Sequence, residues 1–422
     1  MHQNRRDFIA ALGATAVAPL VSRHWGDELL KRVAPAAHRF KVRTIAAGID
    51  VKPGSLESVE KAIAMLHRAR TRVESAGFVV SSVRLTSTPF VGDTPPAGRA
   101  SLLGDLKAID EILDREHVSM SLGPLLTADR RDPALADWVT ELVRTTKHIS
   151  FSAMTASAER GLHREAMWTA ADVILALSRA TPEGTATFRF TAIANMPAGS
   201  PFFPAGYHEG PPSFSIGMES PLLVLDAFGA ASDPGDAERR LRESMTAEYL
   251  PIEKLATEIG REENCAYLGI DSSPAPSPDA SVGAAIEALT HVPFGSSSTL
   301  QACAAITAAI KSLGVRTCGY SGLMLSVLED PSLASRAKEK TYELRELLLY
   351  SSVCGTGLDT VPVAGDIEPA RIVRVLGDVA TMAIRLKKPL AARLMPAPGK
   401  AAGDPIAFAN PSLFPSVVFE VP

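Results

Sequence analysis

The residues of this chain best able to do chemistry sit in three Gly- and Pro-rich loops and on one polar strand. Cys354 stands in Ser351-Ser352-Val353-Cys354-Gly355-Thr356-Gly357-Leu358-Asp359, where a helix expected over 341–350 runs into a turn. Glycines after the thiol let the backbone take positive φ and approach a ligand closely. A cysteine there suits a nucleophile, a proton donor or a ligand, with Asp359 as acid or base. It suits equally well a small buried residue at a helix C-terminus. His208, in Ala205-Gly206-Tyr207-His208-Glu209-Gly210, is the second acid/base candidate, although a lone loop histidine is also an ordinary surface residue. Its loop begins at Asn195 directly after a strong strand pattern, which places Asn195 at the carboxyl end of a parallel sheet, where α/β proteins put their sites. Gly295, Ser296 and Ser297 lead into a helix over 300–313; free backbone N–H groups and hydroxyls there suit an anion, and plain helix capping needs the same residues. Arg84, on a strand, suits a carboxylate, and Asp271 ends another strand at the loop 272–278.

Those side chains need a scaffold, and the hydrophobic period supplies one. Short β-branched runs alternate with longer helical stretches, the pattern of an α/β protein with a mainly parallel sheet. Strands are expected over 40–49, 78–85, 118–122, 149–154, 187–194, 266–270, 315–318 and 391–395. Several carry Ser, Thr or Arg at every second position, as in Val80-Ser81-Ser82-Val83-Arg84-Leu85-Thr86 and Ser150-Phe151-Ser152-Ala153. A strand buried on both faces reads as uniformly apolar, so this alternation implies one face turned toward a polar interior, or else plain edge strands. Between the strands lie amphipathic helices such as 56–73, with Val59, Ile63, Leu66 and Val73 at helical spacing and Ser55 placed as N-cap. No internal repeat and no composition break divides residues 37–422, which read as one domain.

The first 36 residues read differently. Asn4-Arg5-Arg6-Asp7-Phe8-Ile9 followed by a soft Ala/Gly run is the pattern of a twin-arginine export signal with a linker; the apolar run is too short to span a bilayer. An amphipathic helix that opens with two arginines is the plain alternative. The export reading implies the twin-arginine translocase as a partner and a periplasmic or extracytoplasmic place of work.

Composition narrows the rest. Hydrophobic residues make up 46% and charged residues 21% of 422, with a net charge of −4, and the basic residues are dispersed, which argues against nucleic acid as a partner. The four cysteines, Cys265, Cys303, Cys318 and Cys354, stand singly, with no zinc-type spacing; no metal and no particular cofactor is indicated.

Taken in order, Arg43-Thr44-Ile45-Ala46-Ala47-Gly48-Ile49, Arg84-Leu85-Thr86-Ser87-Thr88-Pro89, Asn195 with Pro201-Phe202 and Tyr207-His208, Asp271-Ser272-Ser273-Pro274, Gly295-Ser296-Ser297, Ser321-Gly322-Leu323 with Glu329-Asp330, and Cys354-Gly355-Thr356-Gly357-Leu358-Asp359 resemble domain-of-unknown-function family 711 over nearly all of residues 40–422. That family is similar in fold to the pyruvate formate-lyase and anaerobic ribonucleotide reductase barrels. The resemblance implies a ten-stranded α/β barrel made of two parallel half-barrels, with Cys354 on a loop threaded into its interior. The chain departs from the radical enzymes in its tail, which has no glycine after Gly403 and no Arg-Val-x-Gly-Tyr motif, so glycyl-radical chemistry is not expected.

The expectation is therefore an exported enzyme, a lyase or hydrolase, acting on a small anionic or amide substrate. Cys354, Asp359 and His208 are its catalytic candidates, and Arg84, Asn195, Asp271, Gly295, Ser296 and Ser297 its substrate-binding ones, converging on one interior cavity. A non-catalytic periplasmic binding or accessory protein is the alternative, and a homodimer is compatible with either.

Overall fold

In the computed structural model the described residues are 38–51, 56–277 and 280–422. The export segment and the Ser55 cap therefore lie outside them. Among them, the first half of the chain is a series of strand–helix–strand units. Strands β1 (Lys41–Ile49), β2 (Val83–Ser87), β3 (Ser119–Pro124) and β4 (Ile149–Ser157) pair in parallel, returned by helices α1 (Glu57–Ser75), α2 (Arg99–Glu116) and α3 (Ala134–Thr145). A short β5 (Gly161–Leu162) folds back on β4, and α4 (Arg164–Ala180) leads to β6 (Phe190–Ala194), parallel to β4.

The second half flanks this set on both sides. β7 (Ser213–Glu219) runs antiparallel to β1 and parallel to β8 (Ala266–Asp271), while β9 (Gly357–Ala364) runs parallel to β10 (Leu390–Ala397), which is antiparallel to β6. The result is a ten-stranded mixed sheet in the order β8-β7-β1-β2-β3-β4-β6-β10-β9, with β5 beside β4. Three parallel sets, β8-β7, β1-β2-β3-β4-β6 and β10-β9, meet antiparallel at β1–β7 and β6–β10.

Strand pairing does not close this sheet into the expected barrel, because β8 and β9 remain its edges. The gap is crossed by residues 317–326, which touch each edge through one parallel bridge, Ile270 with Thr317 and Ser326 with Asp359. The expected strand over 315–318 is only the first of these bridges. The strand expected over 78–85 begins at Val83 instead, preceded by a single bridge from Val80 to Val42.

Alternation along the strands sorts the two faces of the sheet. Ile45, Leu85, Met120, Phe151 and Phe190 turn outward into the main core beneath the helices. The helix Pro369–Arg385 shows why helices cover that face: Ile372, Val375, Leu376, Val379 and Ala383 recur at three and four residues and are all buried. The alternate positions, Arg84, Thr86, Ser121, Ser150, Ser152 and Thr191, form the polar inner face read from the sequence.

A loop fills much of that inner space, but it is not the loop of Cys354. Residues 195–210 enter it, and the hydroxyl of Ser121 donates to the carbonyl of Pro204 at 3.2 Å. Met196, Phe202 and Tyr207 of this loop join Met154, Ile193 and Tyr320 in a second, inner apolar cluster. The loop holds its shape because the Tyr207 hydroxyl donates to the Met196 carbonyl at 2.9 Å and the His208 amide to the Ser87 carbonyl at 3.0 Å.

Candidate functional site

Beside this loop the inner face encloses a cavity of about 340 Å³. Its walls come from distant parts of the chain: Arg43 of β1, Arg84 of β2, Arg189 at the start of β6, Asp359 of β9, Arg393 of β10 and Tyr320 of the crossing segment. Glu329, Thr356 and the loop residues Phe202 and Phe203 complete the parts used below. The volume lies at the lower end of the range for ligand sites, about 300–1,000 Å³, which suits a small molecule rather than a dinucleotide.

Among the described residues four arginines and two carboxylates line this space, and the arginines are met in different ways. Arg43 donates to Glu219 at 2.9 Å. Arg189 donates to the backbone carbonyls of Ile149 at 2.6 Å and Thr146 at 2.7 Å, and burial pulls its pKa down to about 10. Arg393 bridges Asp359 Oδ1 at 2.7 Å and Glu329 Oε2 at 2.9 Å while lying over the Phe188 ring at 4.6 Å. Those two carboxylates outweigh the burial of Arg393 and hold its pKa above the usual arginine value.

Arg84 has no hydrogen-bond or ion-pair partner among the described residues; its guanidinium lies over the Phe203 ring at 4.9 Å. Burial, with Arg43 nearby, pulls its pKa down to about 9 against the longer-range pull of Glu329, and an anion in contact would oppose that shift. The hydroxyl of Thr356 is likewise unpartnered, although the residue is only 3% exposed. Tyr320 has a phenol pushed well above its ordinary pKa by burial and the neighbouring Asp359, so it remains a neutral hydrogen-bond donor.

Of the nine residues expected to form the site, Arg84 and Asp359 line this cavity and the other seven do not. Cys354 is fully buried in the main core; the Gly357 amide donates to its Sγ at 3.3 Å, and Lys388 caps its carbonyl at 2.6 Å. Its turn is pinned where two glycines cross: a Cβ on Gly355 would lie 2.4 Å from the Cα of Gly322. All four cysteines are free.

His208 is buried against Gly48, near the ends of β1 and β2 where the loop turns away. Its Nε2–H donates to the Gly210 carbonyl at 3.0 Å and its Nδ1 accepts from Ser213 at 3.3 Å, an arrangement that uses the neutral ring; burial lowers its pKa. Asn195 takes a left-handed φ of 54° and ends β6. Asp271 is fully buried, accepting from the Ser273 hydroxyl at 2.7 Å and amide at 3.2 Å and from the amides of Tyr320 at 2.8 Å and Ser321 at 2.9 Å. It thereby positions the segment carrying Tyr320. Gly295 packs on the Thr341 carbonyl and its amide donates to the Thr299 hydroxyl at 3.1 Å; Ser296 and Ser297 stand nearer solvent just before the helix Thr299–Lys311.

Arg43, Arg189, Arg393, Glu329, Tyr320 and Thr356 were not singled out from the sequence as site residues. Arg393 carried a signal, as one charged residue inside the apolar run Ala391-Ala392-Arg393-Leu394-Met395.

The fold and cavity define a class: an α/β protein with a mixed sheet whose polar inner face encloses a small, arginine-rich pocket. The chain belongs to the family described as Uncharacterised ACR (DUF711), whose model matches residues 36–410. It is 30% identical over 354 residues to a UPF0210 protein of Pyrobaculum arsenaticum, covering 78% of this chain and 76% of that one. A UPF0210 protein of Pyrobaculum islandicum is 29% identical over 375 residues, covering 82% and 80%, and one of Methanococcoides burtonii 24% over 401 residues, covering 88% of each.

Proposed function

We propose that the protein is an exported enzyme that holds a small anionic or amide substrate in the Arg84 cavity and acts on it there, as a lyase or hydrolase. The observation that carries this reading is Arg84, a guanidinium in a cavity wall that no carboxylate contacts directly among the described residues. Leaving such a group unpaired is costly, and a carboxylate or phosphate ligand removes the cost. Asp359 and Glu329 are the acid/base candidates, since both reach the cavity and Cys354 does not. In this reading residues 317–326 complete a pyruvate formate-lyase-like barrel in outline, and the twin-arginine segment sends the folded protein out of the cytoplasm.

A non-catalytic binding protein is the second reading, favoured by the burial of Cys354 and by the tie of both carboxylates to Arg393. The test is calorimetric titration of small carboxylates and phosphates into wild-type and Arg84→Met protein, followed by product analysis of any bound compound. Binding that Arg84→Met weakens by about tenfold or more supports the cavity as the site. Product formation that Asp359→Asn abolishes selects the enzyme, and binding untouched by Arg84→Met overturns both readings.

A further inference from the structure

The charged groups of the cavity wall are met in different ways. Arg84 has no hydrogen bond or ion pair among the described residues, and Arg189 beside the same space spends its donors on backbone carbonyls and a threonine hydroxyl. One guanidinium, Arg393, faces the two carboxylates Asp359 and Glu329, which leaves that group an excess of one negative charge.

The way those carboxylates are used is informative. Asp359 gives Oδ1 to Arg393, and Glu329 gives Oε2 to Arg393 and to the Ser326 hydroxyl, at 2.7 Å in the last case. Asp359 Oδ2 and Glu329 Oε1 accept no hydrogen bond within the protein among the described residues, and both residues line the cavity. Their side chains are 15% and 16% exposed, so these two oxygens open onto the cavity, where a ligand's donor can meet them. Thr356, 3% exposed with an unpartnered hydroxyl, lines the same space.

We infer that the cavity takes a small zwitterion, an amino acid or a close analogue, with its carboxylate against Arg84 and its ammonium or other N–H donor against Asp359 Oδ2 and Glu329 Oε1. This rests on the reading of the cavity as an anion site and adds the second pole. The arrangement discriminates by charge pattern. A simple acid satisfies Arg84 but leaves the two carboxylates unmet, a simple amine does the reverse, and a dicarboxylate sets its second charge against Asp359 and Glu329.

The experiment titrates the full chain with the protein L-amino acids and unbranched ω-amino acids, each against the matched acid lacking the amine. In the wild type an amino acid should bind about tenfold or more tightly than its des-amino partner. Asp359→Asn and Glu329→Gln should erase that preference while keeping the affinity for the des-amino acid within about twofold. Using both variants guards against one failing to fold, which circular dichroism shows. Equal binding of the two compounds by the wild type, or a preference that survives both substitutions, overturns the zwitterion and leaves the anion site standing. Acid binding that Arg84→Met does not weaken, or the absence of binding by any acid of the panel, overturns the anion reading and this inference with it.

Discussion

Arg393 and Arg84 line the same cavity, and both are arginines set in strands, yet the protein treats them in opposite ways. Arg393 is met by Asp359 at 2.7 Å and Glu329 at 2.9 Å and lies over Phe188; Arg84 lies over Phe203 and has no ion pair among the described residues. A paired buried charge belongs to the architecture, because removing it strands its partners. An unpaired one that opens onto a cavity has no partner to strand and is left able to meet something that comes and goes. His208 shows a third solution, a titratable ring buried in its neutral form.

The largest effect should come from breaking the paired member. Arg393→Met leaves two carboxylates facing each other without a cation and should lower unfolding stability by about 3 kcal/mol or more, read as a fall in denaturant midpoint at unchanged slope. A loss under about 1 kcal/mol would mean that the pair is solvated and that the contrast with Arg84 is false.

Arg84→Met should change stability far less, by about 1 kcal/mol or under and with either sign, since an apolar chain of similar length replaces a guanidinium that no protein group faces. The same denaturation curves measure it. A loss as large as that of Arg393→Met would show that Arg84 is structural.

The smallest effect is the pH dependence of His208. Burial depresses its folded pKa below the unfolded value of about 6.5, so the unfolded chain binds the proton first as pH falls. Its contribution is complete above about 6.5 and is lost as pH drops below that value. His208→Gln should flatten the fall in melting temperature between pH 7 and 5 relative to the wild type, after the change common to both is subtracted. Parallel profiles would show that the ring protonates as easily folded as unfolded.

The same contrast explains what the sequence reveals. The strands β1, β3, β8 and β10 are legible because their apolar runs are bounded by turn signals. β7 is not, because Ser213-Phe214-Ser215-Ile216 follows Pro211-Pro212 and carries Gly217, so it reads as more loop. β9 is hidden by Pro362, which the strand tolerates because it is an edge: its carbonyl still accepts from the Phe419 amide at 2.8 Å. Among site residues, Arg84 and Asp359 stand out by chemical type in polar or glycine-rich surroundings. The network that gives Asp359 its setting does not, since Arg393 reaches Asp359 across 34 residues and Glu329 across 64. Cys354 misleads for a related reason. Its glycines look like room for a ligand, but one of them is there to let the Gly322 backbone pass.

The segment that crosses between β8 and β9 has a consequence for how copies of this protein meet one another. A strand edge is a template for a neighbour's strand, and a sheet with two of them invites chain-to-chain association. Here the chain lays its own residues 317–326 over both edges, anchored by the Cys318 amide on Ile270 at 3.0 Å and the Val327 amide on Asp359 at 3.0 Å. Between those anchors the stretch contains Gly319 and Gly322 and is too bent to carry a continuous ladder onward. The same ten residues that supply Tyr320 to the cavity wall thus cover both ends of the sheet and leave a neighbouring molecule no straight strand to extend.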